Sequence, residues 1–266
     1  MKIAFIGGGN MGEAMLFAIL AKGLSQSQTI SVSDASEARR RYLEQKYKVA
    51  VMGDNRQAAN RGDVVVLAIK PQNLAEVMAE LSEQLRPAQL VLSIIAGAKI
   101  DTLRQGLKHG CIVRVMPNTP AQIGEGMSVW TATAEVTKRQ REWAGSILSA
   151  MGKEIYVDGE KYIDMATAVS GSGPAYFFLF MESLVEAAVH IGLPCRMAQE
   201  LVLETMLGSG HFVQRSGKPL AELRRMVTSS GGTTAEALLQ LEKGGFSELV
   251  KQAVSAAYDK AKSLGS

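Results

Sequence analysis

Gly7-Gly8-Gly9-Asn10-Met11-Gly12 places three glycines at G-x-G-x-x-G spacing. The loop follows an apolar run at residues 2–6 and opens a helical stretch at residues 10–22. Alone the pattern is weak; between a strand and a helix it becomes a dinucleotide-binding signature. Gly7 permits the tight turn, Gly9 lets a pyrophosphate approach the backbone, and Gly12 allows close packing of helix on strand. Free N–H groups at the helix start would face the anion. The competing reading is a glycine turn without a ligand.

The residues that follow repeat the same plan. Short β-branched runs at 29–33, 49–51, 63–69, 90–95, 112–116, 127–131 and 155–157 predict strands. Helical spacing between them covers 36–46, 71–85, 100–107 and 136–151. The 63–69 run is apolar on both faces and predicts a buried central strand. This alternation predicts an α/β fold, an N-terminal Rossmann-type doubly wound, mostly parallel sheet. From residue 164 the strand signals stop, and helices are predicted at 174–191, 194–216, 220–226, 234–242 and 246–264. The expected domains are therefore 1–163, binding a dinucleotide, and 164–266, all-α. Phe177-Phe178-Leu179-Phe180-Met181 is apolar in five consecutive positions, which suits a central helix of a monomer or an intersubunit helix of a homodimer.

Charge and cysteine content narrow the classes. Residues 1–163 carry 20 Lys and Arg against 16 Asp and Glu, and residues 164–266 carry 9 against 10. A formal charge of +3 with 6% aromatics predicts no nucleic-acid partner. Cys111 and Cys195 are too few and too distant for a disulfide framework or a metal cluster, which predicts a cytoplasmic protein without metal. The longest apolar candidate, residues 175–191, is broken by Glu182, Ser183 and Glu186, so no membrane span is expected.

Candidate cofactor contacts fall at strand ends. The second strand ends Val32-Ser33-Asp34. Asp34 at the tip would bond a ribose 2′-hydroxyl and favour NAD; Ser33 at the tip could accept a 2′-phosphate, with Arg39, Arg40 or Arg41 adding charge. Spacing leaves both open. Ala68-Ile69-Lys70-Pro71 and Ala96-Gly97 follow the fourth and fifth strands, where open α/β sheets bind ligands.

Few side chains announce chemistry. His109, His190 and His211 lack acidic partners at telling spacing, and no HExxH or GxSxG is present. Hydride transfer to a carbon–nitrogen double bond needs little from side chains, because the cofactor carries the chemistry and the protein orients the reactants. A cyclic imine is also basic enough to be protonated near neutrality. Val227-Thr228-Ser229-Ser230-Gly231-Gly232-Thr233-Thr234 precedes a helix, forming either an anion receptor or a well-capped connection.

That loop resembles the signature of pyrroline-5-carboxylate reductases, and the resemblance runs the length of the chain. It includes Phe5-Ile6-Gly7-Gly8-Gly9-Asn10-Met11, Ala68-Ile69-Lys70-Pro71, Arg114-Val115-Met116-Pro117-Asn118-Thr119-Pro120, Ser170-Gly171-Ser172-Gly173-Pro174-Ala175-Tyr176 and Glu242-Lys243-Gly244-Gly245-Phe246. It implies reduction of L-1-pyrroline-5-carboxylate to L-proline by NAD(P)H. Carried over by position, it implies cofactor contacts at Gly7, Gly8, Gly9, Asn10, Met11, Gly12, Ser33, Asn55, Ala68, Ile69, Lys70, Pro71, Ala96 and Gly97. Gly232, Thr233 and Thr234 become the carboxylate receptor, with the Thr234 hydroxyl near the ring nitrogen as the catalytic group. The resemblance further implies a loop reaching the neighbouring subunit's nicotinamide, a homodimer with interlocked C-terminal helices, and decamers of such dimers. It favours NADP, with NAD as the alternative.

Two residues depart from the family pattern: Ser230 stands where relatives often have proline, and Asp34 where many carry a basic or neutral residue. A β-hydroxyacid dehydrogenase-like reductase is a weaker reading, since no lysine lies between Pro174 and Ile191. A non-catalytic dinucleotide-binding regulator is weaker too, because the 231–234 loop is intact.

Overall fold

The computed structural model describes residues 1–265. By contacts it divides into two compact units, residues 1–172 with those from Ala257 onward, and Gly173–Ala256. The expected 163/164 boundary falls inside a short helix, Lys161–Ala166.

The first unit contains β1 (Ile3–Ile6), α1 (Asn10–Ala21), β2 (Ile30–Ser33), α2 (Glu37–Tyr47), β3 (Ala50–Met52), α3 (Asn55–Ala59) and β4 (Val64–Leu67). It continues with α4 (Leu74–Leu81), β5 (Leu90–Ser93), α5 (Ile100–Leu107), β6 (Ile112–Met116), β7 (Gly126–Ala132), α6 (Lys138–Ala150), β8 (Gly152–Tyr156) and α7 (Lys161–Ala166). The strands form one sheet in the order β3-β2-β1-β4-β5-β6-β7-β8. Neighbours run parallel except β6 and β7, which are antiparallel. A helical crossover would be needed to keep β7 parallel to β6. Residues 117–125 supply only a 3₁₀ turn, Thr119–Ile123, so the chain doubles back.

Alternation along the strands builds two apolar layers. Ile3 and Phe5 of β1 join Met15, Leu16 and Ile19 of α1 on one face, while Ala4 and Ile6 join Val77, Leu81, Leu103 and Leu107 on the other. All four residues of β4 are fully buried, as expected for a strand covered on both faces. The stretch predicted helical at 71–85 is shorter: a 3₁₀ turn at Pro71–Asn73 precedes α4, which ends at Leu81. The five-residue α3 and six-residue α7 are too short to show a sequence period.

β6 is tied to its surroundings by charge. Arg114, 2% exposed, donates to Glu160 and Asp164 at 2.7 Å each. Glu160 also accepts the Ile100 N–H at 2.7 Å, joining the start of α5 to the same cluster.

The second unit contains α8 (Gly173–His190), α9 (Cys195–Ser216), α10 (Leu220–Met226), α11 (Thr233–Lys243) and most of α12 (Phe246–Ser263). One turn of π-helix, Thr167–Gly171, lies between α7 and α8 in sequence. Phe177, Phe178 and Leu179 on α8 are each about three-fifths exposed. Among the described residues, no helix is long and apolar enough to cross a membrane.

Candidate functional site

Strand order reverses between β1 and β4, because β1 connects outward to β2 and the chain then returns to β4 on the opposite side. Such a switch point opens a crevice at the strand carboxyl ends. A cleft of about 580 Å³ lies there, lined by Gly7 and Gly9 after β1 and by Ser33, Asp34 and Ala35 after β2. Gly53 and Asn55, and Ala68, Ile69 and Lys70 after β4, complete most of its wall. Four segments distant in sequence thus meet in one place.

The glycine loop is shaped for close approach. Gly7 has φ +97°, and a Cβ there would stand 2.6 Å from the Ala68 carbonyl oxygen. A Cβ on Gly12 would stand 2.6 Å from the Gly7 carbonyl oxygen, so α1 packs against the loop only because Gly12 lacks one. Gly9 differs: no atom lies within 4 Å of its would-be Cβ. The space before Gly9 is open, which fits a pyrophosphate.

The N-terminus of α1 is left uncapped. Gly9 supplies no side-chain cap, and the Glu13 N–H bonds the Gly9 carbonyl at 2.8 Å, so the N–H groups before it lack intrahelical partners. By contrast Ser36 caps α2, Asp54 caps α3 and Thr137 caps α6. Glu13, an anion in this first turn, is bound by Arg39, Lys46, Tyr42 and Tyr47. Burial alone would raise its pKa, but the hydrogen bonds from Lys46, Tyr47, Arg39 and Tyr42 prevail and bring it to about 2. Arg39 also bonds the Gly8 carbonyl and braces the loop.

At the end of β2 the two polar residues have separate tasks. The fully buried Ser33 hydroxyl donates to Asn55 Oδ1 at 2.6 Å. Asp34 accepts the Gly8 N–H at 2.9 Å through one oxygen and the Ser36 N–H at 2.9 Å through the other. The Gly8 N–H is therefore engaged within the protein. Asn10 and Met11 begin α1 beside the cleft, and Pro71 follows its Lys70 wall. Ala96 and Gly97 follow β5 and do not line this cleft; a Cβ on Gly97 would stand 2.6 Å from Leu264 Cβ.

Sequence reading missed Ala35, Gly53 and Val77 of the wall, and three polar members, Asn73, Glu76 and Glu80. Their i, i+3, i+7 spacing places them on one helical face, but polar residues at that spacing equally describe a solvated surface. Only the fold shows Glu80 accepting Asn55 Nδ2 at 2.6 Å.

In the second unit α11 also starts without a side-chain cap, as α9 and α10 do. Gly232 is the N-cap of α11 without a side-chain bond, and the Glu236 N–H bonds the Gly232 carbonyl. None of the hydroxyls at 228–230 caps this helix: Thr228 donates to the Arg224 carbonyl. The Thr233 and Thr234 N–H groups thus lie in an open first turn, which suits an anionic ligand.

Known proteins resemble this chain along its whole length. Residues 160–264 match the family described as pyrroline-5-carboxylate reductase dimerisation, and residues 2–97 match NADP oxidoreductase coenzyme F420-dependent. The pyrroline-5-carboxylate reductase of Synechocystis is 41% identical over 266 residues, 100% of this chain and 98% of that protein. The enzyme of the same name from Pseudomonas aeruginosa is 41% identical over 99% of this chain and 96% of its own. The solved pyrroline-5-carboxylate reductase of Coxiella burnetii superposes with a TM-score of 0.91 at 38% identity, covering 100% of this chain and 98% of that one. The Plasmodium falciparum pyrroline carboxylate reductase with NADP bound gives 0.91 at 33% identity, covering 100% and 98%.

Proposed function

The chain belongs to the pyrroline-5-carboxylate reductase family, and from that premise we propose how its residues reduce L-1-pyrroline-5-carboxylate to L-proline, the last step of proline biosynthesis. NADPH is the reductant. The observation that carries the reading is that α1, behind an open glycine loop, and α11, behind a glycine–threonine loop, both start at a glycine N-cap with no side-chain bond.

Asn10 and Met11 offer N–H groups to the pyrophosphate, Gly9 leaves it room, and Gly7 and Gly12 hold the loop tight. Ser33 and Asn55 form the wall at the ribose end. Ala68, Ile69, Lys70 and Pro71 hold the next part of the cofactor along the strand ends; Ala96 and Gly97, outside this cleft after β5, would meet only the part of the cofactor that extends beyond it. The bound nicotinamide supplies the hydride.

The protein's own contribution is binding and orientation. Thr233 and Thr234 receive the substrate carboxylate through N–H groups, whose partial positive charge at the helix start favours an anion, while Gly232, its own N–H bonded to the Ser229 carbonyl at 3.1 Å, shapes the loop beside it. The Thr234 hydroxyl sits by the ring nitrogen and orients it. An imine nitrogen already protonated near neutrality needs no strong acid from the protein, in keeping with the lack of a paired histidine in either loop.

Purified protein is expected to oxidise NADPH when given pyrroline-5-carboxylate and to yield proline. Absence of turnover with NADPH and NADH, for folded dimeric protein, overturns the reading. Thr234→Ala is expected to lower kcat about 10-fold or more while leaving NADP affinity within twofold, the pattern of a lost orienting contact. Thr234→Ser should restore most of the loss. An equal fall in NADP affinity would show that Thr234 is misassigned.

The homodimer forms through residues 160–264. We place a decamer of such dimers above it, and the protein in the cytoplasm, where its two unpaired thiols are compatible with a reducing medium.

A further inference from the structure

The ribose end of the cleft carries a charge arrangement that neither the fold nor the reaction demands. Its wall includes Gly53 and Asn55, which flank Asp54 between β3 and α3. On one side lies Arg40 of α2, whose Cζ and Nη1 are 3.6 Å from the position of a Gly53 Cβ. Its Nη1 donates to the carbonyls of Asp34 at 2.6 Å and Ala35 at 3.0 Å, two residues of the cleft wall. Among the described residues, its Nη2 and Nε have no acceptor. The flanking arginines are committed elsewhere, Arg39 to Gly8 and Glu13, and Arg41 to Glu37.

On the other side lies Glu80 of α4. It accepts Asn55 Nδ2 at 2.6 Å and has no cation within ion-pair distance among the described residues. That bond fixes the Asn55 amide with its oxygen toward Ser33, whose hydroxyl proton is then spent.

We propose that Arg40 and Glu80 together decide what this enzyme accepts at the ribose 2′-position. Arg40 holds a 2′-phosphate through the donors it has free; Glu80 repels that phosphate and, through Asn55, favours a 2′-hydroxyl. A guanidinium with donors free is suited to phosphate oxygens, and an unpaired carboxylate in the same wall opposes them. Ser33 cannot substitute for Arg40, being fully buried with its hydroxyl already donating. Asp34 is occupied as a brace by the Gly8 and Ser36 N–H groups. The opposition makes discrimination between NADPH and NADH shallow, and adjustable from either side.

The inference rests on the dinucleotide assignment of this cleft, but its test needs no turnover. Adenosine 2′,5′-bisphosphate and 5′-AMP are titrated calorimetrically into the full-length protein. Arg40→Met should weaken the bisphosphate about 10-fold or more, the scale of one lost charged hydrogen bond, and change 5′-AMP less than twofold. Arg40→Lys should retain part of the preference. Glu80→Gln should tighten the bisphosphate several-fold and leave 5′-AMP unchanged. Equal weakening of both probes by Arg40→Met would make Arg40 a structural clamp and overturn the proposal. An unchanged affinity ratio in Glu80→Gln would overturn it as well. Failure of the wild type to reduce pyrroline-5-carboxylate would instead sink the reaction, leaving these nucleotide affinities to be read independently.

Discussion

Glu13 shows how one side chain adapts a general nucleotide loop. An acid in the first turn of a helix stabilises it, but here it also stands beside the glycine loop proposed to receive a phosphate. Donors from α2 bind that charge: Arg39, Tyr42, Lys46 and Tyr47 all reach Glu13. Its folded pKa of about 2 lies below the ordinary 4.5, so the carboxylate contributes stability at pH above 4.5 and loses it as pH falls toward 2. Glu13→Gln is expected to cost roughly 1–2 kcal/mol at pH 7, allowing for the partial exposure of its partners. Thermal melts of both proteins should converge as pH drops through that window. A stability gap that persists undiminished at pH 2 would contradict the assignment. The glycines and the strand-end residues of this site were legible in the sequence because each acts through local backbone. Glu13, Glu80 and Asn55 have partners 25 or more positions away or across elements, and only the fold brings them together.

At the scale of elements, α1 and α11, the helices proposed to face ligands, both start at a glycine N-cap with no side-chain bond; α4, α5, α9 and α10 also lack a side-chain cap but start behind other residues. Gly9 and Gly12 separate two requirements of the first. Gly9→Ala fits sterically and has an ordinary φ of −65°, so it should leave Tm within about 2 °C, as surface substitutions do, while weakening nucleotide binding by occupying the open space. Gly12→Ala must push α1 from the loop and should both weaken binding and cost roughly 1–3 kcal/mol. Equal losses of stability in the two variants would refute that distinction. Periodicity and turn residues made most strands and long helices legible, since burial repeats every 2 or 3.6 residues. The antiparallel β7 was not, because direction depends on whether a connection crosses the sheet. The role of Arg114 was equally hidden: its partners Glu160 and Asp164 lie at the N-cap and within a helix too short to read. Arg114→Ala leaves both carboxylates unpaired and should destabilise the first unit by about 3–5 kcal/mol in denaturant unfolding. A change below ~1 kcal/mol, the range of surface ion pairs, would show the cluster is not an effective buried network.

For the whole molecule, the change from strands to helices near residue 164 was legible, and so was the excess of apolar surface on α8. Which surface covers it was not, since one chain's sequence does not distinguish its own core from a partner's. In the structure Phe177, Phe178 and Leu179 stand exposed, and residues 160–264 match a dimerisation family. Phe178→Glu would place a charge in an apolar interface and should shift the species seen by sedimentation toward monomer. The family resemblance implies more, that the 232–234 receptor serves the cofactor of the neighbouring subunit. Co-expression of Gly9→Asp with Thr234→Ala provides the test. In a mixed two-fold dimer, sharing between subunits gives one site an intact glycine loop and an intact threonine. The other site carries both lesions. Random pairing then restores about a quarter of wild-type sites, where each parent variant alone has none that is intact. If each subunit used only its own receptor, every site would retain one lesion, and mixing would yield only the sum of the two weak activities. Recovery above that sum, absent when separately purified dimers are combined without subunit exchange, is the expected outcome.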